Sequence, residues 1–151
     1  MASENVEVTR AAYDAFNRGD LEGWLQHLDP EIEWRMSDAF SRDARVFHGH
    51  AGVREVYAIF NEAIDGIRAE PTELLEAGDA IVAPVTITGS VHGSTDPVEF
   101  NLVQVWTLRE LKAIRLDVYA ALDDAWAALG TTPPRSSRDS ISDAGTGREN
   151  K

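Results

Sequence analysis

A chain of 151 residues and 16.6 kDa suits one domain and is long enough to bury a substantial core. It contains no cysteine, which excludes disulfides, thiolate metal sites and cysteine nucleophiles. A formal net charge of −12 argues against nucleic acid or an anionic membrane as partner, because both repel such a surface at long range.

The first residues, Met1-Ala2-Ser3-Glu4-Asn5, hold neither a basic region nor an apolar segment, and no apolar run approaches membrane-spanning length. Cytoplasmic residence without a membrane anchor is therefore expected. Residues 4–17 place Val8, Ala11, Ala12, Ala15 and Phe16 on one face at helical spacing, with Ser3 as N-cap and Glu4 and Glu7 in the first turn. Tyr13 sits beside that face, and Gly19 stops the helix. Asp20 caps a shorter helix from Leu21 to Leu28, whose apolar positions are Leu21, Trp24, Leu25 and Leu28, before Asp29-Pro30 ends it.

Glu31 to Asp38 alternates, with Ile32, Trp34 and Met36 on one side and Glu31, Glu33 and Arg35 on the other, as a strand with one buried face does. Asp38 follows in phase with the apolar set. Residues 39–49 read as irregular, and a third helix from Ala51 to Ala63 buries Val53, Val56, Tyr57 and Phe60. Gly66 to Ala77 reads as a strand, Gly78-Asp79 as a tight turn, and Ala80 to Val91 as a strand whose Pro84 implies an edge position or a bulge.

The longest consistent pattern is a hairpin over Val98 to Tyr119. Phe100, Leu102, Gln104, Trp106 and Leu108 share one face of its first arm, and Leu116 and Val118 the apolar face of its second. Asp117 and Tyr119 fall on the opposite, outer face. The turn Arg109-Glu110-Leu111-Lys112 lacks glycine and asparagine, so its type cannot be read from the sequence. Asp123 to Leu129 forms a last helix ending at Gly130. From residue 131 to 151 the composition turns to Pro, Ser, Thr, Gly, Asp and Arg, which predicts a disordered tail behind a domain of residues 1–130. The element order gives an α+β fold with helices on one face of a curved, mostly antiparallel sheet.

Several stretches, in this order and spacing, carry a family resemblance: Tyr13-Asp14-Ala15-Phe16-Asn17-Arg18-Gly19-Asp20-Leu21, Ile32-Glu33-Trp34-Arg35, Phe47-His48-Gly49-His50-Ala51-Gly52-Val53-Arg54, Ala77-Gly78-Asp79, Val105-Trp106-Thr107-Leu108 and Arg115-Leu116-Asp117-Val118-Tyr119. Together they resemble the SnoaL-like branch of the NTF2-like superfamily over about residues 5–130. The resemblance implies a cystatin-like cone, its sheet wrapped around the N-terminal helices with a pocket at the open end, and often a homodimer. It implies no cofactor. Ketosteroid-isomerase-like members stabilise an oxyanion with a tyrosine on the first helix and an acid in the penultimate strand, and move a proton with an aspartate on the first strand. Tyr13 matches the tyrosine, Gln104 stands at the second donor and Met36 at the base, leaving Asp38 as its substitute. Polyketide-cyclase-like members use an acidic residue late in the last strand, where this chain has Ala120. Epoxide-hydrolase-like members use charged inward residues, whereas Ala80 to Val91 holds none and the matching last-strand positions are Leu116 and Val118.

The candidate catalytic set is thus Tyr13, Asp38, Gln104 and His92, the last at a loop where it can act as acid or base. Trp34, Met36, Phe47, Leu102, Trp106, Leu116, Val118 and Ala120 are the candidate pocket lining. A buried amide or phenol must find partners, so Tyr13 and Gln104 either donate together to a ligand oxygen or bond each other to close a polar hole. The histidines lack metal-ligand spacing, and no metal is expected; His48 is expected to satisfy backbone groups at the helix entrance. These residues describe a pocket for a small, mostly apolar carbonyl- or hydroxyl-bearing molecule. The function is either isomerase, cyclase or lyase chemistry, or noncatalytic ligand binding or dimerisation after loss of the family's acid and base.

Overall fold

The computed structural model describes residues 3–36 and 46–130. Asp38 and the tail expected to be disordered lie outside them. The first helix, α1 (Glu4–Asn17), is capped by the Ser3 side chain, which accepts from the Val6 N–H, and the short α2 (Leu21–Leu25) by Asp20, which accepts from Gly23. The buried stripe of α1 is Val6, Thr9, Ala12, Tyr13 and Ala15. It is rotated from the expected one, so that Thr9 and Tyr13 belong to it, while Val8 and Phe16 are only half-buried. Thr9 tolerates full burial because its hydroxyl donates to the Asn5 carbonyl at 2.8 Å. Helix α2 ends three residues short of Leu28, because Leu28 already pairs with Ala113 as the first residue of a strand.

That strand, β1 (Leu28–Met36), is flanked by the short β2 (Val46–His48), inside the stretch expected to be irregular, and α3 follows at once (Gly49–Ala63). Helix α3 can start there because Gly52 packs against Phe47: a Cβ on Gly52 would come within 2.8 Å of the Phe47 backbone. The expected strand over residues 66–77 is two, β3 (Ile64–Pro71) and β4 (Leu75–Ala77), both pairing with β5 (Ala80–Val91). Strands β6 (Pro97–Arg109) and β7 (Lys112–Tyr119) form the hairpin, and α4 (Leu122–Leu129) closes the chain at Gly130. The strand order is β2-β1-β7-β6-β5-β3, antiparallel except for β1 and β7. This sheet is curved and unclosed.

Two local features decide details that the sequence left open. Pro84 lies in an interior strand, but opposite the break between β3 and β4; its missing N–H is not needed there, and its carbonyl accepts from Thr72 N at 2.9 Å. The hairpin turn puts Glu110 and Leu111 at φ 52° and 65°, the left-handed pair of a two-residue hairpin turn, imposed on residues that resist it because the flanking strands pair on both sides.

Each face of the sheet has a continuous row. On the inner face Phe47, Trp34, Leu116, Trp106 and Ile81 are successive cross-strand neighbours, and beside them run Met36, Val118, Gln104 and Ala83. Helices α1 and α3 cover this face and make the main core. On the outer face Val82 and Val105, with Ala80 and Val103, pack under Trp126 and Ala125 of α4, while the β1–β7 half carries Arg35, Arg115, Asp117 and Tyr119. Among the described residues no helix is long and apolar enough to cross a membrane.

Candidate functional site

Tyr13 is placed by the buried stripe of α1 and Gln104 by the inward phase of β6, and the two meet across 91 residues of sequence. The indole Nε1 of Trp106 donates to the Tyr13 hydroxyl at 3.0 Å, and that hydroxyl donates to Gln104 Oε1. An indole N–H can only donate, so the phenol accepts it and gives its own proton to Gln104 Oε1, the oxygen that faces it. The carboxamide therefore turns its NH2 group away from Tyr13, and among the described residues that group has no hydrogen-bond partner. Gln104 is 8% exposed, and each bond in such a chain polarises the next.

The residues around this relay enclose an apolar cavity of about 30 Å3, room for about two waters. Tyr13, Leu102, Gln104 and Trp106 form its floor, with Trp24, Trp34, Val56, Ala69 and Ile87 around them; the half-buried Phe16, Tyr57, Phe60 and Ile67 mark the side that reaches solvent. Space exists above Gln104 because its cross-strand neighbour on β5 is only Ala83. The wall is largely aromatic. Trp24 packs edge-on against Phe16 and Trp34 with ring centroids at 5.1 and 5.8 Å, and Tyr13 meets Trp106 at 5.3 Å. In this surrounding, burial pushes the Tyr13 phenol well above its ordinary 10.0, and the bond from Trp106 offsets only part of that. Tyr13 thus remains a neutral donor.

Of the residues singled out from sequence, Tyr13, Gln104, Trp34, Leu102 and Trp106 come together at this cavity. Phe47, Leu116, Val118 and Met36 share the inner face but lie beside it, Met36 accepting from Trp34 Nε1 at 3.2 Å. Ala120 lines a different cleft, with Thr72, Pro84 and Asn101. His92 is 67% exposed, away from the cavity, with its Nδ1 2.9 Å from Asp65. Asp38 lies outside the described residues. The entrance histidine that serves the backbone is His50, bonded to the Leu28 carbonyl at 2.8 Å, whereas His48 makes no capping bond. Among the described residues no group of histidines and carboxylates could hold a metal ion. The lining residues that sequence reading assigned to core or left unmarked are Phe16 of α1 and those of α2, α3, β3 and β5. Their only signal is the Tyr57 and Phe60 pair, three apart on α3.

The SnoaL-like domain matches residues 9–116 of this sequence. The chain belongs to the SnoaL-like family. Its fold is shared with an NTF2-like protein of unknown function from Burkholderia pseudomallei K96243, 26% identical with a TM-score of 0.71 over 83% of this chain and 97% of that one. It is also similar to TerC, crystallised with polyporic acid, at 30% identity and a TM-score of 0.69 over 84% of this chain and 98% of TerC. A putative SnoaL-like polyketide cyclase from Jannaschia sp. CCS1 has the same fold at 18% identity, with a TM-score of 0.67 over 86% of this chain and 94% of that one. Among curated proteins none matches this sequence. For this SnoaL-like chain the family settles the scaffold, and the activity must be argued from the cavity.

Proposed function

We propose that this protein binds a small, mostly apolar molecule by one carbonyl oxygen, with the Gln104 carboxamide as donor. The observation that carries the reading is the Trp106–Tyr13–Gln104 relay, which ends in a carboxamide on the floor of an otherwise apolar, aromatic cavity. A donor held in place by a buried chain of bonds selects an acceptor, so a ketone or lactone fits better than an alcohol of the same shape. Co-crystallisation of the 30%-identical TerC with polyporic acid supports reading this as a small-molecule site. A ring-sized ligand needs more room than about 30 Å3, and rotation of the half-buried Tyr57 and Phe60 supplies it.

Isomerase, cyclase or lyase chemistry also needs a group to move a proton. Of the described lining residues only Tyr13 and Tyr57 ionise, and Tyr13 is held neutral. The reading is therefore of a binding domain that polarises its ligand's carbonyl.

The test is an NMR titration with cyclohexanone, acetophenone, a phenol and a lactone on the wild type and Gln104→Leu. Ketone affinity should fall about fivefold to tenfold in the variant, as the loss of one neutral hydrogen bond predicts. Unchanged affinity sinks the proposal. Solvent deuterium exchange at the bound ketone's α-carbon should stay at the uncatalysed rate; acceleration would move the protein to the enzyme class.

A further inference from the structure

A second cleft, of about 200 Å3, lies at the ends of β1 and β7. Arg35, Arg115, Asp117 and Tyr119 of the outer face rim it together with Val46, and the inner-face residues Met36 and Val118 reach it at the strand ends. The Arg115 Nε donates to Asp117 Oδ2 at 2.9 Å, and the Arg35 Nε stands 3.8 Å from Oδ1. One carboxylate, largely buried, thus holds two guanidinium groups that are each nearly half exposed. Their terminal nitrogens make no hydrogen bond among the described residues. Glu33 neighbours Arg115 in register but forms no ion pair with it. Among the described lining residues the charges are two arginines and one aspartate, one net positive charge on a chain whose total is −12.

We propose that this cleft binds a small organic monocarboxylate, its carboxylate against the free edges of Arg35 and Arg115 and its apolar end on Met36 and Val46. The planar guanidinium fork matches a carboxylate in shape, and one net charge matches a monoanion; a dianion would be set against Asp117. Tyr119 lines the same cleft. Burial first, and then the nearby Asp117 carboxylate, raises its pKa, with Arg115 and Arg35 pulling the other way, so it keeps its proton.

The experiment titrates the intact chain with benzoate, with benzyl alcohol and with inorganic phosphate, following the arginine Nε–H signals by NMR. Benzoate should shift Arg35 and Arg115, and benzyl alcohol and phosphate should bind at least tenfold more weakly. Arg35→Gln/Arg115→Gln should lose at least tenfold in benzoate affinity, and exposed Arg10→Gln less than twofold. If the double glutamine variant does not fold, Arg35→Lys/Arg115→Lys keeps the charge and should still lose severalfold, because the fork is gone. Shifts confined to the Gln104 side chain, or phosphate binding as tightly as benzoate, would overturn the proposal. So would sedimentation showing a dimer that the arginine substitutions dissociate without any benzoate binding, since the cleft would then serve the carboxylates of a second copy.

Discussion

Gln104 and Asp117 occupy the same hairpin, one register position apart, and are buried to nearly the same degree, 8% and 9% exposed. Yet one is neutral with neutral partners and the other is a carboxylate between two arginines. The difference lies in what each face can solvate. The inner face is roofed by α1 and α3 with aromatic rings, where an ion would lose hydration that nothing replaces, so its polar groups form a neutral relay. The β1–β7 half of the outer face is not covered by α4, and water reaches both arginines, so charge is tolerated there and weakly rewarded.

The largest expected break in this contrast is Gln104→Glu. A carboxyl in the apolar cavity should have a raised folded-state pKa. It then costs little at pH 4 but about 3 kcal/mol by pH 8, because the unfolded chain ionises first as pH rises. Urea unfolding at the two pH values checks it. Tyr13→Phe should cost about 2 kcal/mol, leaving both the Trp106 N–H and Gln104 Oε1 unpaired in the core. Because burial raises the Tyr13 pKa, its stabilising contribution is complete below 10.0 and falls as pH rises beyond it; the variant should lack that part of the alkaline decline. Asp117→Asn should cost about 1 kcal/mol, discounted for the exposure of both arginines. Its cost should shrink in 1 M salt, whereas that of Tyr13→Phe should not.

Replacing Glu110-Leu111 by Asn-Gly should stabilise both faces together by about 1 kcal/mol, because glycine and asparagine accept the left-handed backbone. Thermal unfolding is the readout. The smallest effect concerns the exposed Asp65, whose pKa is lowered by bonds first from His92 and then from the Gly93 N–H. That contribution is present above the ordinary aspartate value of 3.8 and is lost as pH falls through the lower folded value. His92→Ala should move acid unfolding slightly upward in pH, and leave ketone binding at the inner cavity unchanged.

Alternation along β6 and β7 makes their faces legible in the sequence, including the inward Gln104 and the outward Asp117. That phase survives because a one-residue slip would expose the whole apolar set. What the sequence could not show depends on distant partners. The direction of the Gln104 amide is set by Trp106 through Tyr13, and the end of α2 is set by the pairing of Leu28 with Ala113. From sequence Pro84 implies an edge position or a bulge, because the break between β3 and β4 that accommodates it has no local mark. The α1 stripe was placed one position off, since alanines at both flanks blur a helical period. Only assembly of the cavity shows that Tyr57 and Phe60 line it.

The most direct measurement is the infrared carbonyl stretch of acetophenone bound to the wild type and to Gln104→Leu. A Gln104 N–H on the carbonyl oxygen predicts a frequency below that of the ketone in hydrocarbon, returning to the hydrocarbon value in the variant. A bound carbonyl with the hydrocarbon frequency in the wild type, or a lowered frequency that persists without Gln104, would contradict the account.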